Sequence, residues 1–182
     1  LQMAYLKVDA ETGLTAWKAY ATAEAKGVAY TFEGETVQPI LASVGRPYFV
    51  ERPGPDNVTE VGPGTFQYTL TTVLPQDFDK NATHRVGLAL NREVNVTYDF
   101  VPAGGDVQVT RELVNTENCD GCHKELELHG GWMRDTKMCV LCHTAENIDP
   151  ESGNVLEFKQ MIHKIHRGEF LPSVEAGKPY YI

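Results

Sequence analysis

Cysteine is missing from the first 118 residues of this 182-residue chain, so that stretch can hold neither a disulfide staple nor a thiolate metal site. Also missing is any apolar run approaching the roughly 20 residues that a membrane-crossing helix needs. Positive charge is short: 16 Lys and Arg face 25 Asp and Glu, a formal net charge of −9. That balance argues against nucleic acid as a partner, because a polyanion selects basic surfaces. The N-terminal residues Leu1-Gln2-Met3-Ala4-Tyr5 lack the charged and apolar regions of a signal peptide. The chain is therefore expected to be a processed mature form or a piece of something longer.

What is present divides the chain near residue 110. Before it, the pattern is β. Thr65-Phe66-Gln67-Tyr68-Thr69-Leu70-Thr71 alternates, so Phe66, Tyr68 and Leu70 would share one face of a strand. Tyr98 with Phe100, and Val107 with Val109, alternate in the same way, and further strands are expected near 4–9, 28–33, 47–51 and 85–90. Strong breakers separate them, at Arg52-Pro53-Gly54-Pro55-Asp56-Asn57, Gly62-Pro63-Gly64 and Pro102-Ala103-Gly104-Gly105-Asp106. The Ala-rich stretch 14–26 reads as a short helix. The expected architecture is mainly β: an N-terminal antiparallel β-sandwich over 1–110, then a loop-rich, partly helical module over 111–182.

The second part is dense in Cys and His. All four cysteines fall in two frames of the same form, Cys119-Asp120-Gly121-Cys122-His123 and Cys139-Val140-Leu141-Cys142-His143, and five of the six histidines lie at or beyond position 123. One helix is well signalled there, with Asn154 and Glu157 as a capping-box-like start and Gly168 as a stop. Val155, Phe158, Ile162 and Ile165 recur along it at helical spacing, and His163 and His166 are neighbours on its side. Elsewhere this part has few residues for a core, a gap that two porphyrins would fill.

Cys-x-x-Cys-His is the attachment frame for haem c: two thiols take the vinyl groups while the adjoining imidazole reaches the iron. The rival is a four-cysteine zinc site, which the spacing of the two pairs also fits. The histidine directly after each pair decides between them. Two such placements by accident would occur roughly once in a few thousand for a residue making up about 2% of ordinary sequence, and zinc does not need them. Disulfides leave the same coincidence unexplained.

Each iron then needs a sixth ligand. The remaining histidines are His84, His129, His163 and His166, and the methionines are Met133, Met138 and Met161. His129 stands in Leu128-His129-Gly130-Gly131-Trp132, whose glycines permit close approach to a bulky group. His129, His163 and His166 read as ligands, His84 as an ordinary surface or core residue of the β part, and the methionines as packing. His129, only six residues from His123, is better placed by chain length to serve the second haem than its own. Two haems need two distal ligands and three histidines are offered, so one is surplus or serves an iron elsewhere. Asp149, Glu151 and Asn154 carry the hard oxygens that calcium prefers, yet their spacing suits a solvated loop equally well. Asn57, Asn81 and Asn95 head Asn-x-Thr sequons.

The run Tyr98-Asp99-Phe100-Val101-Pro102-Ala103-Gly104-Gly105, Val109-Thr110-Arg111, both cysteine frames, Leu128-His129-Gly130-Gly131, Met161-Ile162-His163-Lys164-Ile165-His166-Arg167-Gly168-Glu169 and Leu171-Pro172-Ser173-Val174 resembles the OmcA/MtrC family of multihaem cytochromes. The resemblance is strong from about 84 onward and generic before it. It implies a β-sandwich ahead of a haem module, proximal roles for His123 and His143, and distal roles for His129 and the His163/His166 pair. It also implies extracellular electron transfer at the outer-membrane surface (the periplasm being the other compartment open to haem attachment). Partners would be other multihaem cytochromes, further haems of the same assembly, or acceptors such as metal oxides. Family members continue past Pro179-Tyr180-Tyr181 to further frames, so the surplus histidine is expected to serve a third haem in a longer chain. Otherwise it would reach a neighbouring subunit in a homopolymer. A non-enzymatic electron carrier is the favoured reading. Its rivals are a filament-forming haem wire and an oxyanion reductase, which would need an open iron position that spare histidines argue against.

Overall fold

The computed structural model describes every residue except Pro53 and Pro179, so Pro53 of the expected breaker and the first residue of Pro179-Tyr180-Tyr181 lie outside the described residues. The chain forms two compact units, Leu1–Ala21 with Tyr48–Leu141, and Thr22–Pro47 with Cys142–Ile182. Both are built from antiparallel β structure with few helices, as the alternating patterns require.

In the first unit, strands β1 (Gln2–Val8), β2 (Thr15–Ala19), β9 (His84–Leu90) and β10 (Val94–Phe100) form an antiparallel sheet in the order β10-β9-β1-β2. Residues opposite one another share a face, so the pairs Ala4↔Arg85, Leu6↔Trp17, Arg85↔Asp99 and Asn95↔Ala89 put Leu6, Trp17, Arg85, Gly87, Asn95 and Asp99 on one side. There Arg85, 1% exposed, grips Asp99 through two hydrogen bonds of 2.5 and 2.8 Å and lies 4.5 Å over the Trp17 ring. The other side carries His84, packed among Tyr5, Tyr20, Phe78 and Phe100. Both faces are covered, which is why consecutive residues Gln2, Met3 and Ala4 are all buried.

A hairpin of β7 (Val58–Gly62) and β8 (Thr65–Tyr68) completes the strands of this unit. Its expected apolar face is not buried: Phe66 is 62% exposed and Leu70 lies beyond the strand. The Glu51 carboxylate ties the hairpin down, accepting from the Tyr68 hydroxyl and from the Thr71 and Thr72 amides. The Tyr68 hydroxyl first, then the Thr72 N–H, bring its pKa down to about 2.

The second unit holds the ribbon of β3 (Thr22–Lys26) with β6 (Ser43–Pro47) and the hairpin of β4 (Tyr30–Phe32) with β5 (Glu35–Val37). Its helices are α3 (Phe158–Arg167) and α4 (Pro172–Glu175). The segment before α3 is drawn against the ribbon's connection by Ile40 N to Glu151 O (3.1 Å), Leu41 N to Pro150 O (2.9 Å) and Arg46 Nε to Asn147 Oδ1 (3.0 Å).

Several sequence expectations shift. The stretch 14–26 is not a helix but β2 and β3: exposure alternates with period two along β3, and in β2 Trp17 pairs with Leu6. Strand pairing here overrides the helix preference of alanine. No strand forms at Val107–Val109. The Thr83 hydroxyl holds Val109 O and the Trp17 indole holds Arg111 O at 3.1 Å in place of a ladder. The strand expected over 47–51 lies earlier, at Ser43–Pro47. Helix α3 starts at Phe158 with Glu157 as its cap, since Asn154 and Val155 are taken into a β-bridge between Ile148 and Val155.

Candidate haem attachment segment

Helix α1 (Thr116–His123) carries the first frame. Cys119 and Cys122, three residues apart, emerge on one side of it, and His123 is its last residue. Lys124 ends the helix in the left-handed region (φ 66°), with its N–H on Asp120 O at 2.8 Å. Asp120 also accepts from Leu126 N at 2.8 Å, which turns the chain back under the helix. Cys119 is half-buried whereas Cys122 and His123 are exposed. Burial, then the charge of Asp120, push the Cys119 thiol above its usual pKa.

The second frame begins in α2 (Thr136–Cys139). Asp135 caps this short helix, accepting from Lys137 N at 2.8 Å, and the Cys139 thiol contacts Asp135 O at 3.3 Å. Cys139 is 6% exposed, beside Met138 and Leu141 at 2% and 0%. Those two side chains rest on Gly87 of the sheet: a Cβ at Gly87 would overlap Met138 Sδ and stand 2.7 Å from Leu141 Cδ1. A glycine in a strand thus marks the place where α2 comes closest to the backbone. All four cysteines are thiols rather than disulfides.

The first unit ends at Leu141, and Cys142 and His143 belong to the second. His143 is built into the approach to α3. Its Nδ1 contacts Leu156 O at 3.0 Å, its carbonyl accepts from Phe158 N at 3.0 Å, and its ring meets Phe158 edge-on at 6.5 Å. On α3, His163 Nδ1 lies 2.7 Å from Lys159 O and His166 Nδ1 lies 2.8 Å from Ile162 O. A carbonyl can only accept, so in each neutral ring Nδ1 carries the proton and the lone pair sits on Nε2. That is the tautomer an iron ligand needs, with the second nitrogen anchored to backbone. In His84 the Nδ1 contacts Ala82 O at 2.9 Å and the Nε2 contacts the Tyr20 hydroxyl at 2.5 Å, so both nitrogens are engaged inside the core.

His129 occupies the tip of a loop closed by a bridge between Leu128 and Met133. His129, Gly130 and Gly131 all have positive φ (51°, 68° and 87°), an uncommon run that holds an exposed imidazole at the turn. Among the methionines, Met138 and Met161 are buried packing residues. Large apolar groups in the same stretches are left in water: Leu128 and Trp132 in the first unit, Ile165 and Phe170 in the second. Such surface suits a large flat apolar group, and together with the thiol pairs and the anchored imidazoles it makes the residues present fit haem c.

The hard-oxygen trio is otherwise employed. Asp149 accepts from Ser152 N and Oγ at 2.8 and 2.6 Å, Glu151 from Val28 N at 3.0 Å, and the Asn154 amide donates to Tyr181 O at 3.0 Å. Among the described residues no three His, Cys, Asp or Glu side chains converge on a common ion position. Sequence reasoning overlooked Asp135, Asp120 and Gly87. Asp135-Thr136 is a helix N-cap signature and Gly87 interrupts an otherwise apolar strand, so the signals were there.

Residues 111–179 match the family model described as outer membrane cytochrome MtrC/MtrF-like, domains II/IV. The multiheme cytochrome MtrC of Shewanella baltica (strain OS185) is 34% identical over 85 residues, which are 45% of this chain and 12% of that protein. The fold is similar to the crystal structure of the outer membrane decaheme cytochrome OmcA, with a TM-score of 0.68 and 25% identity over 93% of this chain and 27% of the other. The chain thus spans about an eighth of the curated relative and about a quarter of the solved one. Both cysteine frames lie inside the matched segment, and over it the chain is similar to multihaem cytochromes of the OmcA/MtrC type.

Proposed function

We propose that residues 111–182 hold two haems c, at Cys119/Cys122/His123 and Cys139/Cys142/His143, and relay electrons at the outer-membrane surface while residues 1–110 serve as the supporting β domain. The observation that carries this is the pair of complete frames followed by imidazoles whose Nδ1 atoms are tied to backbone carbonyls. The family match, which starts at residue 111, supports dividing the chain there.

Haem supplies reversible one-electron chemistry at iron. The chain's own part is to hold it: four thiols for covalent attachment, His123 and His143 as proximal ligands, and His129 with His163 or His166 as distal ones. Bis-histidine ligation keeps potentials low, and a closed coordination shell suits a carrier better than an enzyme. His163 and His166 on one helix exceed the need of two irons, so the surplus imidazole serves a further haem of the same assembly. Acidic surface favours basic partner faces or mineral oxides as acceptors. Among the described residues no helix is long and apolar enough to cross a membrane.

Intact mass with a visible spectrum tests this directly. Two covalent haems with low-spin, six-coordinate spectra are expected, and His129→Ala should turn one haem five-coordinate and high-spin. A single haem, or two unchanged low-spin haems in His129→Ala, would sink the assignment. Rapid binding of carbon monoxide by the native protein would favour an open iron and hence an enzyme.

A further inference from the structure

The His129 loop and the approach to α2 converge on one residue that belongs to neither frame. Asn95 projects from β10, on the sheet face that also carries Gly87. Its Nδ2 donates to Trp132 O at 2.9 Å, and its Oδ1 accepts from Arg134 N at 2.8 Å and from Asp135 N at 3.3 Å. One amide therefore satisfies three backbone groups of the chain, at Trp132, Arg134 and Asp135, as it leaves the His129 loop and enters α2. Asp135 extends the connection: besides capping α2, its carboxylate accepts from the Thr116 hydroxyl at 3.2 Å, and Thr116 Oγ1 accepts from Thr136 N at 3.0 Å. Thr116 is the first residue of α1.

The loop is strapped from its far side as well. Arg134, once Asn95 has fixed its backbone, sends Nε to Gly131 O (3.2 Å) and Arg92 O (2.5 Å), and its guanidinium pairs with Glu125 and Glu127. The positive-φ run at His129–Gly131 is thus closed by the Leu128–Met133 bridge, by Arg134 and by Asn95. Strained backbone of this kind persists only where its surroundings over-determine it.

We propose that Asn95 is a positioning residue for haem ligation, holding the loop that presents His129 and the start of α2 in fixed register with the sheet. The role rests on reading His129 as an iron ligand. Asn95 also heads the sequon Asn95-Val96-Thr97, but its amide is spent on Trp132, Arg134 and Asp135, so a glycan there would have to break the clamp.

The test uses the haem-loaded chain. In Asn95→Ala, amide exchange at Arg134 and Asp135 should accelerate about tenfold, the loss of roughly one hydrogen bond's protection. The same variant should convert part of the His129-dependent low-spin signal to high-spin and shift that haem's midpoint potential. Asn95→Asp keeps the acceptor oxygen for both amides and should restore most of the exchange protection and the spectrum. Thr97→Ala removes the sequon and should change neither. Unaltered exchange in Asn95→Ala overturns the clamp. Faster exchange with an unchanged spectrum and potential, while His129→Ala does alter them, leaves Asn95 merely structural and overturns the positioning role. If His129→Ala itself leaves the spectrum intact, the ligand reading falls first and the positioning role with it. A spectrum that changes in Thr97→Ala but not in Asn95→Ala would transfer the effect to a glycan or to Thr97.

Discussion

The two cysteine frames share five-residue spelling but not surroundings. The first lies on an eight-residue helix with no buried residue, its Cys122 and His123 open to solvent. The second opens in a four-residue helix of which Thr136, Met138 and Cys139 are buried, seated on a glycine of the main sheet. Equal chemistry thus comes with unequal support. The first frame depends on Asp120 and the cap at Lys124, and the second on the packing of a folded sheet.

This contrast can be broken in graded steps. The largest effect is expected from replacing the cysteines in pairs. Cys119→Ser/Cys122→Ser and Cys139→Ser/Cys142→Ser should each lose one haem by intact mass, and only the second pair should also lower the stability of the haem-free chain, because Cys139 is buried. Equal stability of both in urea melts would erase the distinction.

Gly87→Val comes next. The added carbons collide with Met138 and Leu141, at a cost of about 2–3 kcal/mol for overpacking. Urea unfolding should move accordingly, and haem loading at the second frame should fall while the first is retained. Loss at both frames alike would mean that α1 also leans on the sheet.

Smaller effects belong to the helix caps. Asp135→Ala removes the cap of α2 and its tie to Thr116, and should cost about 1 kcal/mol. Glu157→Ala removes the acceptor for Gln160 N at α3 and should cost about half as much. The Leu141 amide should exchange faster in the first variant and be unmoved in the second.

The mildest probe is acid. Burial alone would raise the pKa of Asp99, but hydrogen bonds from Arg85 and Thr110 and the charges of Arg85 and Lys137 outweigh it and hold the group below its ordinary 3.8. A depressed carboxylate contributes stability that is present above its unfolded pKa and lost as pH falls through the folded one. Below pH about 3.8, then, the face holding Arg85 over Trp17 should loosen, seen as a change in Trp17 fluorescence in a Trp132→Phe background. Asp99→Asn should abolish that transition; its survival would assign it to another carboxylate, such as Glu51, whose pKa of about 2 gives it the same sign.

The proposed haem segment was legible in the sequence because attachment is local chemistry. Two thiols and an imidazole must meet one macrocycle, so spacing alone singles out Cys119, Cys122, His123, Cys139, Cys142 and His143 as the candidates. Gly168 likewise announces the end of α3, where it caps the helix with its N–H on Lys164 O. The start of α3 was less legible. Asn154 looks like a cap, but Leu156 spends its N–H on Asn147 O and its carbonyl on His143 Nδ1, so the helix waits for Glu157. Similarly, Ala-rich 14–26 gives no local sign that Trp17 will pair with Leu6.

By itself, then, the sequence determined which residues to propose as haem-binding and that the preceding chain is β, since both follow from spacing and period. Tertiary structure alone decided that Cys139 is buried and Cys122 exposed, that His84 is spent in the core, and that Asn95 ties down the His129 loop. These depend on residues 37 to 64 positions apart, such as Asn95 with Trp132 at 37 and Tyr20 with His84 at 64. Contacts of that range leave no periodic mark in the chain, because they are selected by sheet register and packing and not by neighbouring residues.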